Sequence, residues 1–155
     1  MPQVIDFNLH ASYSFWLCRL ASAMQEQFNH ILAKHDVTYP QWMLLNVLGG
    51  STNASPAKIA QSMGVDRSAI TRLVDRLEKK SLVARYHDGL DRRSIKILLT
   101  DQAKQLLPEL NRLAQLHQDA LLGELPTTER RAFKGDIQKL LRATGIESSD
   151  SWHSV

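Results

Sequence analysis

The sequence predicts a mainly α fold (α+β) in which one short β-hairpin is set among helices. Two observations carry this. Apolar residues recur at three- and four-residue steps through most of the 155 positions, and only between Val83 and Leu99 does the period fall to two. A third bears on size: with 43% hydrophobic residues the chain can bury one good core but is short for two.

Between Ala11 and Lys34 there is neither Gly nor Pro, and Tyr13, Leu17, Leu20, Ala21, Met24, Phe28, Ile31 and Leu32 form the stripe of a long amphipathic helix. Thr38-Tyr39-Pro40-Gln41 has the form of a capping box and opens a second helix, carrying Trp42, Leu44, Leu45, Val47 and Leu48, which the pair Gly49-Gly50 closes. Ser55-Pro56 supplies an N-cap and a first-turn proline for a short helix through Ile59, Ala60 and Met63, stopped by Gly64. Asp66 is placed to cap the next helix, whose Ile70, Leu73, Val74 and Leu77 form one stripe. Short helix, glycine turn and second helix make a helix-turn-helix from about Ser55 to Ser81.

Alternation in Val83 to Tyr86 and Ser94 to Leu99, around a polar loop from His87 to Arg93 containing Asp88-Gly89, predicts a hairpin in the place of a wing. Thr100-Asp101 caps a further helix bearing Leu106, Leu107, Leu110, Leu113, Ala114 and Leu121, with a kink or a late start expected at Pro108. A last helix follows Leu125-Pro126-Thr127, and a Ser- and Asp-rich tail over 145–155 is expected to be flexible. The organisation expected is one domain over 1–144, with a winged helix-turn-helix lobe at about 40–100. The helices at 8–35 and 101–144 exceed what that lobe can cover. Their stripes call for a second copy of the chain, a homodimer.

Charge is uneven. From Ser55 to Thr100 ten Lys/Arg face five Asp/Glu, a local +5 within a formal net charge of +3. A basic middle between neutral-to-acidic ends suits a nucleic-acid module carried by non-contacting helices. A single cysteine excludes an internal disulfide and fits a reducing compartment, so a cytoplasmic location is expected. The first residues lack a basic region followed by an apolar run, so no secretory signal is expected, and no apolar run in the sequence is long enough for a membrane. Six histidines without metal-ligand spacing predict neither metal nor cofactor, and no nucleophile elbow or phosphate-binding loop points to an enzyme.

A recognition helix must offer short polar and basic side chains to base edges while its other side anchors it. Ser68, Ala69, Thr71, Arg72, Asp75, Arg76 and Lys79 lie off the apolar stripe, joined by Arg67 at the helix start. Arg72 or Arg76 can donate two hydrogen bonds to guanine. Ser68 and Thr71 can reach bases or phosphates. Lys58, Lys79 and Lys80 are placed for phosphates, Ser55 is a further expected DNA contact, and Asp91-Arg92-Arg93 puts two guanidinium groups on the hairpin, suited to a narrow minor groove with Asp91 orienting an arginine.

The stretches Ser55-Pro56-Ala57-Lys58-Ile59-Ala60, Asp66 through Lys80, Leu82-Val83-Ala84-Arg85, Asp91-Arg92-Arg93-Ser94 and Leu99-Thr100 closely resemble the MarR family of transcriptional regulators. The resemblance implies a winged helix-turn-helix, a dimer joined through its terminal helices, minor-groove insertion of Arg93, and repression of transcription relieved by a small ligand or an oxidant. Ser81 and Ala103 depart from it, since the family often has Gly there; Ser81 is expected to alter how its helix ends. The partner expected is a pseudo-palindromic double-stranded operator.

For effector sensing, Tyr13, Trp16, Arg19, Tyr39 and Trp42 offer aromatic walls and one cation, suited to a small aromatic carboxylate. Redox sensing is the alternative. The family's oxidant sensors carry a cysteine in the first helix, but Cys18 lies one turn later than that position, which is Ser14 here, and one partner tyrosine is Phe28. Two further alternatives keep the fold: an activator or antirepressor, and a winged helix that docks on a protein.

Overall fold

The computed structural model describes residues 8–51, 54–88 and 91–145, with side chains for all of these except 88 and 91–94. It contains α1 (Tyr13–Leu32), α2 (Tyr39–Gly49), α3 (Pro56–Met63), α4 (Arg67–Lys79), β1 (Val83–Asp88), β2 (Asp91–Leu99), α5 (Asp101–Leu122) and α6 (Thr127–Ala143). The fold class is as expected: mostly helical, with one two-stranded antiparallel sheet. The chain divides into two compact units, Met1–Tyr39 and Pro40–Val155.

In the first unit the helical run foreseen from Ala11 to Lys34 is α1 flanked by single 3-10 turns at Leu9–Ala11 and Ala33–His35. Ser12 caps α1, its hydroxyl accepting from the Phe15 N–H at 3.3 Å. Asp36 turns left-handed at φ 54° and lets the Val37 N–H reach the Leu32 carbonyl at 3.3 Å, which closes the helix end. The Asn29 side chain accepts from the Tyr39 N–H at 2.7 Å, so the first orphan donor of α2 is met across the turn.

The second unit holds the helix-turn-helix. Ser55 caps α3 through the Lys58 N–H at 3.3 Å, and Gly64 ends it at φ 64°, with Val65 N–H returning to the Ala60 carbonyl at 3.1 Å. Ile59, Ile70, Val74 and Leu77 are buried, so α3 and α4 present their stripes to one core shared with Leu44, Leu45 and Ile97. Asp66 stands at the start of α4 as expected, but its side chain makes no capping bond; its backbone carbonyl accepts from Ala69 and Ile70 instead.

Ser81 adopts the left-handed conformation itself, at φ 58°. Leu82 N–H reaches the Leu77 carbonyl and Ser81 N–H the Glu78 carbonyl, both at 2.9 Å, which is the bond pattern a glycine gives at a helix end. The expected change in how the helix ends is therefore not found. The hairpin also differs from expectation. The segment from His87 to Arg93 is not all loop: β1 runs to Asp88 and β2 begins at Asp91, with a register shift after the pair His87↔Ile95. A two-stranded ribbon can place polar residues on a solvated face, so polarity alone did not mark where pairing stops.

Pro108 does not delay its helix. With Thr100 accepting from the Ala103 N–H at 3.2 Å, α5 starts at Asp101 and runs through the proline, which is exposed. A proline there forfeits one internal hydrogen bond, a loss that solvent on the open side can offset. In α6, Phe133 and Ile137 are half-buried while Leu140 and Leu141 are exposed; no residue of that helix is buried. The tail expected over 145–155 lies, from 146 on, outside the described residues.

Candidate nucleic-acid interface

The surface that could meet nucleic acid is built on α4. Its inward stripe is clamped, and helical geometry turns the rest outward. Arg67, Ser68, Thr71, Arg72, Asp75, Arg76 and Lys79 are all exposed, and Ala69 is half-buried. Four of these carry positive charge on 13 residues of helix. Thr71 is partly committed, its hydroxyl donating to the Arg67 carbonyl at 3.2 Å. On α3, Lys58 is exposed, and the Ser55 hydroxyl is engaged in its cap. Asp91, Arg92 and Arg93 stand at the start of β2; the roles expected of their side chains lie outside the described residues.

Three devices fix this surface to its support. The Ile97 N–H donates to the Ala54 carbonyl at 3.1 Å, joining the loop before α3 to the hairpin. The Thr100 hydroxyl donates to the Ser81 carbonyl at 2.7 Å, joining the end of α4 to the start of α5. The third is Arg85. Its guanidinium bridges Asp75 and Glu78, three residues apart on α4. Desolvation opposes its charge, but hydrogen bonds and attraction from the two carboxylates outweigh that and raise the guanidinium pKa above its usual value. Asp75, expected at the DNA, is thus engaged by the hairpin.

At the C-terminal end of α4, the ammonium of Lys80 donates to Oε1 of Gln41 at 3.2 Å, and Gln41 is buried at 3% exposure. The sequence gives Arg85 no role in supporting α4, and it reads Gln41 only as the last residue of a capping box. Their partners lie seven to thirty-nine residues away on other elements, where no periodic pattern looks.

The five residues expected to form an effector pocket fall in both units. In the first, Tyr13 is 87% exposed, the Trp16 indole N–H donates to the His10 carbonyl at 2.8 Å, and the Arg19 guanidinium sits over the Phe15 ring at 5.7 Å. Tyr39 meets Phe28 edge to face at 6.3 Å. In the second, the Trp42 indole N–H donates to Oδ1 of Asn111 at 2.9 Å. The second unit also has an open cavity of about 970 Å³, walled by Leu48, Tyr86, Leu98, Lys104, Leu107 and Asn111 among others. None of the five lines it, although Trp42 reaches its wall through Asn111. Cys18 is exposed, and the neighbouring Arg19 is turned to Phe15.

Comparison with known proteins bears on this geometry. Residues 35–94 match the sequence model of the MarR family. The HTH-type transcriptional regulator TtmR of Methylorubrum extorquens (strain PA1) is 30% identical over 139 residues, which are 90% of this chain and 68% of that protein. The chain belongs to the MarR family. It is accordingly a DNA-binding transcriptional regulator, and the helix-turn-helix of α3 and α4 with its hairpin is the family's winged lobe. Among solved structures, the repressor CouR of Rhodococcus jostii RHA1 bound to a 23-mer DNA duplex is similar with a TM-score of 0.80 at 26% identity, covering 85% of this chain and 94% of that one. BpsR of Bordetella bronchiseptica, whose DNA binding is regulated by 6-hydroxynicotinic acid, gives a TM-score of 0.80 at 22% identity, covering 86% and 96%. For this MarR-family chain, no helix among the described residues is long and apolar enough to cross a membrane.

Proposed function

We propose that this MarR-family protein is a homodimeric repressor that reads a pseudo-palindromic operator with α4 and is released from it by a small aromatic anion. The observation that carries the reading is α4 itself: Ile70, Val74 and Leu77 are buried while Arg67, Ser68, Thr71, Arg72 and Arg76 are exposed on the side that would face a major groove. Arg72 or Arg76 reads guanine, Lys58 and Lys79 hold phosphates, and Arg93 enters the minor groove.

Dimerisation is supported by what a single copy leaves uncovered. The first unit exposes Leu9, Trp16, Leu17 and Leu20; the second exposes Leu116 on α5 and Leu140 and Leu141 on α6. Apolar side chains in such number on helices favour burial against a second chain. Two recognition helices then meet half-sites separated by about one helical turn, ~10 bp, or a multiple. A ligand that changes their separation by a few Å removes the bivalent advantage, and the repressor leaves the promoter to polymerase.

For the effector, Arg19 supplies a cation and Phe15 and Trp16 supply ring faces, all on one helix of the first unit. The regulation of BpsR by an aromatic acid supports the same chemical class here. The test is fluorescence anisotropy on duplexes from the protein's own upstream region and from random-site selection, wild type beside Arg93→Ala, across a salt series. The reading expects tight wild-type binding that falls steeply with salt, and a weaker, shallower dependence in the variant. Selection that recovers no preferred duplex overturns it. Benzoate-type acids are expected to lower operator affinity and change tryptophan emission; if they do neither, the ligand class is wrong.

A further inference from the structure

We infer that Arg85 is a positioning residue for operator recognition: by bridging Asp75 and Glu78 it locks the hairpin to the recognition helix and so sets the angle at which both meet DNA. The inference rests on the DNA-binding reading of α4 and assigns a role to a residue outside the proposed contact surface.

The geometry starts with the strand. Side chains two apart on a strand share a face, so Arg85 leaves β1 on the side of Val83, which is 2% exposed and in the core. That side faces α4. Asp75 and Glu78, one turn apart, present their carboxylates together to it, and the two ends of one planar guanidinium take one each. The Arg85 side chain is 28% exposed, against 51% for Asp75 and 41% for Glu78. It is the anchored member; the acids come to it.

Charge sharpens the case. Carboxylates on a helix that approaches phosphates repel the ligand, so two of them beside Arg72, Arg76 and Lys79 reduce non-specific attraction. Placing them there makes sense if they hold something that recognition needs. Exposed ion pairs contribute little to folding stability, which argues that the bridge serves orientation more than stability. A hairpin held at one angle to α4 lets the groove-reading helix and the wing engage one operator together, whereas a loose hairpin must be ordered on binding.

The experiment compares the full chain with Arg85→Lys and with the double variant Asp75→Asn plus Glu78→Gln, on the duplex that the wild type selects and on a scrambled duplex. Simple electrostatics predicts that removing two negative charges from a DNA-binding helix strengthens binding to both duplexes. The bridge predicts the opposite sign on the selected duplex: a loss of about tenfold or more, with scrambled-duplex binding unchanged or tighter, so that the specificity ratio falls. It also predicts that Arg85→Lys fails to rescue, because a single ammonium cannot hold two carboxylates in a planar fork. Thermal midpoints recorded alongside are expected to move little. Tighter binding of the double variant to the selected duplex, or wild-type specificity in Arg85→Lys, overturns the inference while leaving the DNA-binding reading intact; a wild type that selects no duplex overturns both.

Discussion

Replacing Thr100 by Val keeps the shape of the side chain and removes one hydroxyl, and that hydroxyl does two jobs. It accepts from the Ala103 N–H at 3.2 Å as the N-cap of α5, and it donates to the Ser81 carbonyl at 2.7 Å just past the end of α4. Loss of an N-cap costs about 1 kcal/mol, and loss of the second, solvent-exposed neutral hydrogen bond costs about 0.5–1 kcal/mol more. Thr100→Val should therefore destabilise the protein by about 1.5–2 kcal/mol, or about 3–8 °C in Tm for a chain of this size. Thr100→Ser retains both bonds and should stay within about 0.5 kcal/mol of wild type, the range of an ordinary surface change. Urea unfolding followed by far-ultraviolet circular dichroism, at one fixed protomer concentration, measures both variants. A Val variant as stable as wild type, or a Ser variant as weak as Val, would refute the two-bond account.

Left-handed positions give two predictions of opposite sign. Gly64→Ala should cost about 1–2 kcal/mol through the backbone alone, since a Cβ there meets nothing within 4 Å; Ser81→Gly should stabilise by somewhat under 1 kcal/mol, because the strain at φ 58° is relieved. Chemical denaturation of each variant checks the signs. Alkaline pH gives a third prediction. Burial raises the Tyr39 phenol above its ordinary 10.0, so the folded chain holds that proton more firmly than the unfolded one. Its contribution is complete below the unfolded value and is lost as pH rises through the folded pKa, so Tyr39→Phe should show a smaller fall in urea midpoint between about pH 9 and 11 than wild type.

Where local chemistry decides the backbone, the sequence was readable. Ser55-Pro56 and Gly64 bound α3 as capping rules require, and the stripe of Ile70, Val74 and Leu77 told the inner side of α4 from the outer. Local chemistry misled where a second influence competes with it. Pro108 signals a boundary, but the cap at Thr100 nucleates the helix ahead of it. The polar run after Tyr86 reads as loop, but antiparallel pairing tolerates polar side chains on an open ribbon face. Ser81 breaks the glycine preference at its turn, yet the bonds of Ser81 and Leu82 N–H to α4 carbonyls hold it left-handed. The interface was legible as a set of exposed residues and illegible as a mechanism of support. Nothing in the spacing of Asp75, Glu78 and Arg85 says that a strand will carry the arginine back to the helix.

The indoles described in the fold make a pair of independent optical reporters. Trp16 belongs to the first unit, half in solvent with its N–H on the His10 carbonyl, while Trp42 belongs to the second, tied to Asn111 on the rim of the cavity. In a Trp152→Phe background, each remaining indole can be retained in turn by replacing the other with Phe. The Trp16 emission should then respond to whatever covers the face of α1, and that of Trp42 to whatever enters the cavity beside α5. Changes at the face of α1 and at the cavity beside α5, which a single gel or anisotropy curve would blend, are read separately in the two single-tryptophan variants.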